Sequence, residues 1–276
     1  MLQLTAYFMN PLTWVFFITG LVFGSFFNVC ILRIPEGTFF KTHRSNCPKC
    51  QSPIPFYLNV PVISWLMLRG IARCCGEKIS VQYPLVEFAT GLIFIFVYWN
   101  FPFLVKIDGG YHFESLQFIR FLHALILFSV LFISSVIDIR LLIIPDVFSL
   151  GLVATAPIWV FIHPELTWKS SLIGILVGGG VLYAVAWIYW LLRKQAGMGM
   201  GDVKLLAGMG GWLGYESIFP TVFYASITGS ILGIAMVFIG KRSDLKFEIP
   251  FGPFLALGGL LFMFSGTYFI DLVISR

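Results

Sequence analysis

The chain has 276 residues, of which 58% are hydrophobic and 11% charged, and its formal net charge is +5. A typical soluble domain is roughly 45–50% apolar and about 25% charged, so this composition excludes a water-soluble globular protein and predicts the lipid bilayer as the solvent. The basic residues fall mostly in a few loops, which is typical of cytoplasmic membrane flanks rather than of a nucleic-acid-binding surface. We therefore expect no nucleic-acid partner.

Apolar stretches of about 20 residues, enough to cross a hydrocarbon core of about 30 Å, recur along the chain. The first is expected to be a retained helix, because no Lys or Arg precedes it and no cleavage site follows it. The stretches lie near residues 12–32, 84–104, 117–137, 146–162, 170–192, 217–239 and 251–273, with a shorter one at 203–215. The predicted fold class is an all-α polytopic membrane protein with about eight transmembrane helices.

The distribution of basic residues predicts the orientation. The segment from Arg33 to Lys78 contains seven Lys or Arg residues, and such segments stay in the cytoplasm. The N-terminus is then periplasmic. The short stretch at 203–215 must also cross, because otherwise the basic loop with Lys241, Arg242 and Lys246 would lie on the outer face.

Three domains are expected. Residues 1–33 form a first transmembrane helix, residues 34–82 a cytoplasmic loop module, and residues 83–276 a transmembrane core. The loop module is too small to bury much core of its own, so a bound metal ion is a plausible source of its stability.

Acidic residues at the ends of apolar stretches are the first candidates for chemistry. A charge facing lipid costs about 2.5–3.5 kcal/mol or more at the bilayer centre, so such a group generally faces a cavity or the bundle interior. Asp138 ends one apolar run, Asp146 opens the next after Pro145, and Asp202 follows a glycine-rich segment.

Each of these acids also has a structural interpretation. Asp146 is well placed to be the N-cap of the following helix. Asp138 could pair with Arg140. Asp202 could cap its own helix or pair with Lys204, and the neighbouring glycines could serve helix packing alone.

As a pair, two nearby carboxylates favour aspartic-protease chemistry. They cannot both ionise easily, so one is a general base for water while the other is an acid that polarises the scissile carbonyl. Gly199 and Gly201, just before Asp202, would let an extended substrate backbone come close.

Several motifs together resemble the signature of bacterial type IV prepilin peptidases, which are intramembrane aspartyl proteases of the inner membrane. The two central motifs are I-D-I-R-L-L-I-I-P-D at residues 137–146 and G-M-G-M-G-D-V-K at residues 197–204. The other matching segments are Gly24–Val29, Arg33–Pro35, Arg44–Cys50, Asn59–Trp65 and Tyr83–Glu87.

The resemblance implies that Asp138 and Asp202 are the catalytic pair, cleaving leader peptides of type IV prepilins or secretion pseudopilins at the cytoplasmic face of the membrane. Asp146 is then auxiliary, and we group Lys204, Gly199 and Gly201 with it. The resemblance also implies N-methylation of the new N-terminus with S-adenosylmethionine as the methyl donor. The sequence contains no evident methyl-donor motif, so the residues that bind the donor are unknown; Asn28 and Glu87 are the candidates.

Four of the five cysteines lie in the basic loop, as Cys47-x-x-Cys50 and the adjacent Cys74 and Cys75. Two cysteine pairs in a small cytoplasmic module predict a structural Zn²⁺ site. The second pair departs from the family's spacing, because Ala72 occupies the position of its first cysteine. Adjacent cysteines do not easily bind one metal ion together, so His43 could replace Cys74 as the fourth ligand. If no metal binds, the cysteines are separate free thiols.

Two other classes of function stay open at this point. One is a proton-coupled membrane transporter whose intramembrane acids carry protons, although the inverted repeats typical of transporters are not apparent. The other is an assembly subunit of a secretion apparatus, in which the aspartates have no chemical role.

Overall fold

The computed structural model describes residues 10–40, 46–47, 49–107, 110–195, 197–239 and 249–274. Its α-helices are α1 (Pro11–Arg33), α2 (Ile63–Met67), α3 (Gln82–Asn100), α4 (Ser115–Leu141), α5 (Asp146–Ile162), α6 (Trp168–Arg193), α7 (Met200–Leu213), α8 (Ile218–Ile239) and α9 (Gly252–Ile274). Short 3₁₀ helices span Phe56–Leu58 and Tyr215–Ser217, and the strands β1 (Leu104–Ile107) and β2 (Gly110–Phe113) form an antiparallel hairpin.

This architecture confirms the predicted all-α polytopic membrane fold. Each of the eight apolar stretches overlaps one of the helices α1 and α3 to α9. Five helical segments among the described residues are long and apolar enough to cross a membrane: Pro11–Arg33, Gln82–Asn100, Ser115–Leu141, Trp168–Arg193 and Tyr215–Met236. Helix α7 has 14 residues, which is about 21 Å at 1.5 Å per residue. The basic residues Lys241, Arg242 and Lys246 lie outside the described residues.

The chain divides into two compact units, Met1–Leu125 and Ile126–Arg276, with the boundary inside α4. In the first unit, α1 begins where the Asn10 side chain accepts a hydrogen bond from the Leu12 backbone N–H, with Pro11 in the first turn. That combination is a favourable helix start. Helix α1 packs along α3 so closely that a Cβ atom on Gly20 would lie 2.8 Å from the Cα of Gly91.

The loop between α1 and α3, also in the first unit, carries the cysteines. Two isolated antiparallel β-bridges, Asn46 with Pro53 and Ile71 with Lys78, close two short turns. One turn contains the first cysteine pair and the other contains the second. Local backbone pairing therefore presents each cysteine pair on its own turn.

Helix α7 is the buried centre of the second unit and packs against α6 on one side. A Cβ atom on Gly174 of α6 would overlap the carbonyl oxygen of Gly210 in α7. The Ser171 hydroxyl donates to the Gly211 carbonyl oxygen at 2.7 Å. Small residues thus allow the two backbones to touch, which is the usual packing of helices in lipid.

Helix α5 covers another side of α7. The Trp212 indole N–H donates to the Leu152 carbonyl oxygen at 2.9 Å, and a Cβ atom on Gly208 would lie 2.7 Å from the Leu152 Cβ. Because α7 is fixed along its length by α5 and α6, the position of its first turn, which carries Asp202, is fixed as well.

Candidate active site

The two predicted catalytic acids lie at helix ends within the second unit. Asp138 is in the last turn of α4 and is 5% exposed, whereas Asp202 is in the first turn of α7 and is 8% exposed. The two carboxyl groups are close enough to interact electrostatically. The folding of α4 and α7 therefore brings together the two acids that the sequence motifs pointed to.

Asp138 is held by a group that the sequence prediction missed. The backbone N–H of Gly252, the first residue of α9, donates to Asp138 Oδ2 at 3.0 Å. A Cβ atom at position 252 would lie 2.7 Å from the same oxygen and 2.9 Å from Cδ1 of Ile144. A free backbone N–H at a helix N-terminus favours a negative charge, so this contact stabilises Asp138 as a carboxylate.

Asp202 has a different environment. Its Oδ1 atom is buried and makes no hydrogen bond to the described residues. A Cβ atom on Gly199 would lie 3.6 Å from Asp202 Oδ2, and one on Gly201 would lie 2.9 Å from the Ile144 Cβ. Gly201 therefore allows the segment before α5 to pack against the start of α7. Gly199 places no side chain beside the Asp202 carboxyl group.

Asp146 and Lys204 form an ion pair at the edge of this site. The Lys204 Nζ lies 2.7 Å from Asp146 Oδ1, and the two side chains are 32% and 61% exposed. The N-cap interpretation of Asp146 is wrong, because Pro145 occupies the cap position and Asp146 is the first helical residue.

The other two structural interpretations also fail among the described residues. Asp138 is bonded to Gly252 and not to Arg140, which is exposed. Asp202 neither caps α7, whose N-cap is Gly199, nor pairs with Lys204.

The cysteine sulfurs converge in the first unit. The ligand atoms of Cys47, Cys50, Cys74 and Cys75 all lie within 4.8 Å of one another. The pair distances are 3.7 Å for Cys47–Cys75, 3.3 Å for Cys50–Cys74 and 3.9 Å for Cys74–Cys75. Sulfurs around a tetrahedral Zn²⁺ are about 3.8 Å apart at a Zn–S distance of about 2.3 Å, so the four thiols match such a site.

Cys74 therefore belongs to the cluster despite being adjacent to Cys75, whereas the alternative ligand His43 lies outside the described residues. The Ser52 hydroxyl, 2.7 Å from the Cys50 sulfur, and the Ser52 backbone lower the pKa of the Cys50 thiol to about 6. The lowered pKa favours the thiolate, which is the form that binds metal.

Comparisons with known proteins identify the family. Residues 18–101 match the bacterial peptidase A24 N-terminal domain, and residues 125–234 match the type IV leader peptidase family. A relative from Xanthomonas campestris pv. campestris, named prepilin leader peptidase/N-methyltransferase, is 33% identical in an alignment 275 positions long that covers 91% of each chain. The chain belongs to the type IV leader peptidase family.

Other relatives agree. A prepilin leader peptidase/N-methyltransferase of Klebsiella pneumoniae is 35% identical over 78% of this chain and 92% of its own. A type 4 prepilin-like proteins leader peptide-processing enzyme of Escherichia coli O78:H11 is 35% identical over 91% of this chain and 93% of its own. No solved structure matches the chain at a significant level.

These matches confirm the predicted family, and they support the predicted combination of leader peptidase and N-methyltransferase activities. The transporter alternative has no support among them. The acidic pair of this leader peptidase lies in the part of the chain that matches the family model, and the cysteine cluster lies in the part that matches the N-terminal domain.

Proposed function

We propose that this multi-span membrane leader peptidase cleaves the leader peptides of type IV prepilins or secretion pseudopilins with Asp138 and Asp202 as its catalytic pair. The observation that supports the proposal is the burial of both carboxyl groups in the second unit, near enough to interact electrostatically. One is bonded to a helix N-terminus, and Oδ1 of the other has no partner among the described residues. Asp146, Lys204, Gly199 and Gly201 are auxiliary.

The Gly252 N–H favours Asp138 as the carboxylate, which takes a proton from a water molecule as that water attacks the scissile carbonyl. Asp202 then starts as the neutral acid and hydrogen-bonds the carbonyl oxygen, stabilising the negative charge that develops there. The proton gained from water passes to the leaving amine nitrogen as the C–N bond breaks. Both carboxyls thereby return to their starting states, with Asp138 ionised and Asp202 neutral, ready for the next substrate.

The apolar segment of the substrate lies in the bilayer beside the enzyme. The segment from Arg33 to Lys78 is itself basic, so it repels rather than attracts a basic leader. Recognition therefore depends on the apolar segment and on the substrate backbone, which approaches along the glycine-rich segment before Asp202.

The proposed location is the bacterial inner membrane, with the cysteine loop and the active site toward the cytoplasm and the N-terminus in the periplasm. The positive-inside bias of the basic loop supports this orientation. The proposed domains are a first transmembrane helix at residues 1–33, a loop module at 34–82 and a transmembrane core at 83–276.

A structural Zn²⁺ ion fits the loop module. Cys47, Cys50, Cys74 and Cys75 supply four sulfur ligands at suitable separations, and the module has little core of its own. The ion would tie the two turns together, and peptide hydrolysis by the aspartates does not involve it.

S-adenosylmethionine is the proposed methyl donor, and it supplies an electrophilic methyl group for the new N-terminal amine. The combined activities are tested by incubating the purified enzyme with a prepilin peptide, with and without S-adenosylmethionine, and measuring product masses. The expected products are the free leader and a mature peptide that gains 14 Da per methyl group only when the donor is present. An intact peptide in both reactions would contradict the peptidase, and an unmodified mature peptide in both would contradict the methyltransferase.

A further inference from the structure

A second polar cluster lies between α1 and α3 in the first unit, and the peptidase chemistry does not use it. It consists of Ser25, Asn28 and Glu87, which we call the α1–α3 cluster. Asn28 is 2% exposed and Glu87 is 8% exposed. The Ser25 hydroxyl hydrogen-bonds the Glu87 carboxyl. Close helix packing produces the burial, because a Cβ atom on Gly24 would lie 2.5 Å from the Glu87 Cα.

Glu87 also holds a strained turn of the loop module. Its Oε2 atom accepts the Val62 backbone N–H at 2.7 Å. Val62 has φ of +60° and ψ of −51°, and the Ile63 N–H donates to the Pro61 carbonyl oxygen at 2.6 Å. This γ-turn is rare, and a β-branched residue adopts it only when its surroundings enforce it. The carboxylate is thus fixed in place by two different segments of the first unit.

Asn28 adds a buried acceptor without a partner. Its Nδ2 donates to the Tyr83 carbonyl oxygen at 3.1 Å, whereas its Oδ1 makes no hydrogen bond to the described residues. Buried polar atoms are almost always bonded in native structures, so an exception calls for a ligand or a water molecule. Tyr83 and Glu87 are one turn apart on α3, so Asn28 faces the turn of α3 that precedes Glu87.

The chemistry of the cluster is complementary to a cation with several N–H donors. It offers a buried carboxylate, a hydroxyl and an unpaired amide oxygen, and no Lys or Arg of the described residues forms an ion pair with Glu87. A carboxyl group buried in this way either stays neutral or ionises against a cationic ligand that balances its charge.

We propose that the α1–α3 cluster binds a primary ammonium group that takes part in N-methylation. The inference rests on the N-methyltransferase activity proposed above. Two reactants contain such a group: the methyl donor, in its amino acid moiety, and the cleaved substrate, at its new N-terminus. The donor and the cleaved substrate would each present a primary ammonium group to Glu87 and Asn28, and binding measurements distinguish between them.

The test uses full-length purified enzyme with Glu87→Gln, which keeps the side-chain volume and an acceptor for the Val62 N–H but removes the charge. Glu36→Gln is the matched control, because Glu36 is an exposed residue just after α1. Three quantities are measured: the dissociation constant of S-adenosylhomocysteine, the KM of a pre-cleaved peptide in methylation, and the cleavage rate of the intact prepilin. S-adenosylhomocysteine is used because it contains the same ammonium group as the methyl donor.

Glu87→Gln should leave cleavage within about twofold of wild type while weakening one ligand at least tenfold. A weaker S-adenosylhomocysteine complex assigns the ammonium group to the donor, and a raised peptide KM with unchanged S-adenosylhomocysteine affinity assigns it to the substrate. Unchanged affinity, KM and methylation would overturn the proposal, as would equal losses of cleavage and methylation in a folded variant.

If Glu87→Gln does not fold, Asn28→Leu is the variant that tests whether the α1–α3 cluster binds an ammonium group. This variant removes the unpaired acceptor at similar volume, and the proposal requires weaker ligand binding with cleavage retained; wild-type binding would overturn it. A wild-type enzyme that cleaves but neither binds S-adenosylhomocysteine nor methylates would instead contradict the methyltransferase activity itself.

Discussion

The backbone N–H of Gly252 donates a hydrogen bond to Oδ2 of Asp138 across 114 residues of sequence. This contact orients one carboxyl group of the acidic pair and gives it a backbone hydrogen-bond donor at the start of α9. It distinguishes Asp138 from Asp202, whose Oδ1 is buried without a partner among the described residues. The proposed roles of carboxylate and acid follow from that difference.

Gly252→Ala should lower the rate of leader-peptide cleavage by about a hundredfold, since a displacement of a catalytic group by about 1 Å can have that effect. The added Cβ would lie 2.7 Å from Asp138 Oδ2, so the carboxyl has to move. The measurement is kcat for a prepilin peptide, together with thermal stability.

Gly151→Ala is the control for this prediction. Gly151 lies in α5 of the same unit, and a Cβ atom there would meet nothing within 4 Å. Its cleavage rate should stay at the wild-type value. Wild-type kcat in Gly252→Ala would show that the glycine does not position Asp138.

The Asp146–Lys204 ion pair links the starts of α5 and α7 and is expected to position Asp202 rather than to take part in the chemistry. Because both side chains are partly exposed, the pair contributes at most about 1 kcal/mol. Asp146→Ala and Lys204→Ala should each lower kcat/KM by no more than about fivefold, and the double variant should lose no more than either single one.

Ionic strength provides an independent check on the pair. Added salt should reduce the wild-type rate toward that of the variants, because it screens exposed charges. Additive losses in the double variant would show that the two residues act separately, and complete loss in Asp146→Asn would make Asp146 a catalytic residue.

Metal analysis tests the cysteine cluster. The purified protein should contain one zinc ion per chain, and Cys50→Ser or Cys74→Ser should lose most of it. Cys30→Ser is the matched control, because Cys30 is buried in α1 and is not part of the sulfur cluster. Chelation should make residues 34–82 more sensitive to protease. Folded wild-type protein without metal would contradict the zinc site.

Local patterns in the sequence were sufficient to predict the helices and the acidic pair. Apolar stretches of membrane length become helices in lipid because no other local structure satisfies the backbone. Asp138 and Asp202 are recognisable because carboxylates are costly in such stretches.

Features that depend on tertiary packing were missed. The partner of Asp138 is a backbone N–H, which has no side-chain signature; the only local signal is a helix start near Pro250 and Pro253. The N-cap interpretation of Asp146 fails because its partner, Lys204, is 58 residues away in the sequence. Cys74 was included in the predicted metal site, but the choice between Cys74 and His43 as fourth ligand depends on the turn between Ile71 and Lys78, which spacing alone does not reveal.

The most direct test of the central claim is the cleavage rate of Asp138→Asn and Asp202→Asn, measured in purified protein on a prepilin peptide. Asparagine keeps the size of each side chain but can act as neither general base nor general acid. Each variant should lose about a thousandfold or more of the cleavage rate while still methylating a pre-cleaved peptide. Cleavage at the wild-type rate in either variant would contradict the assignment of the acidic pair.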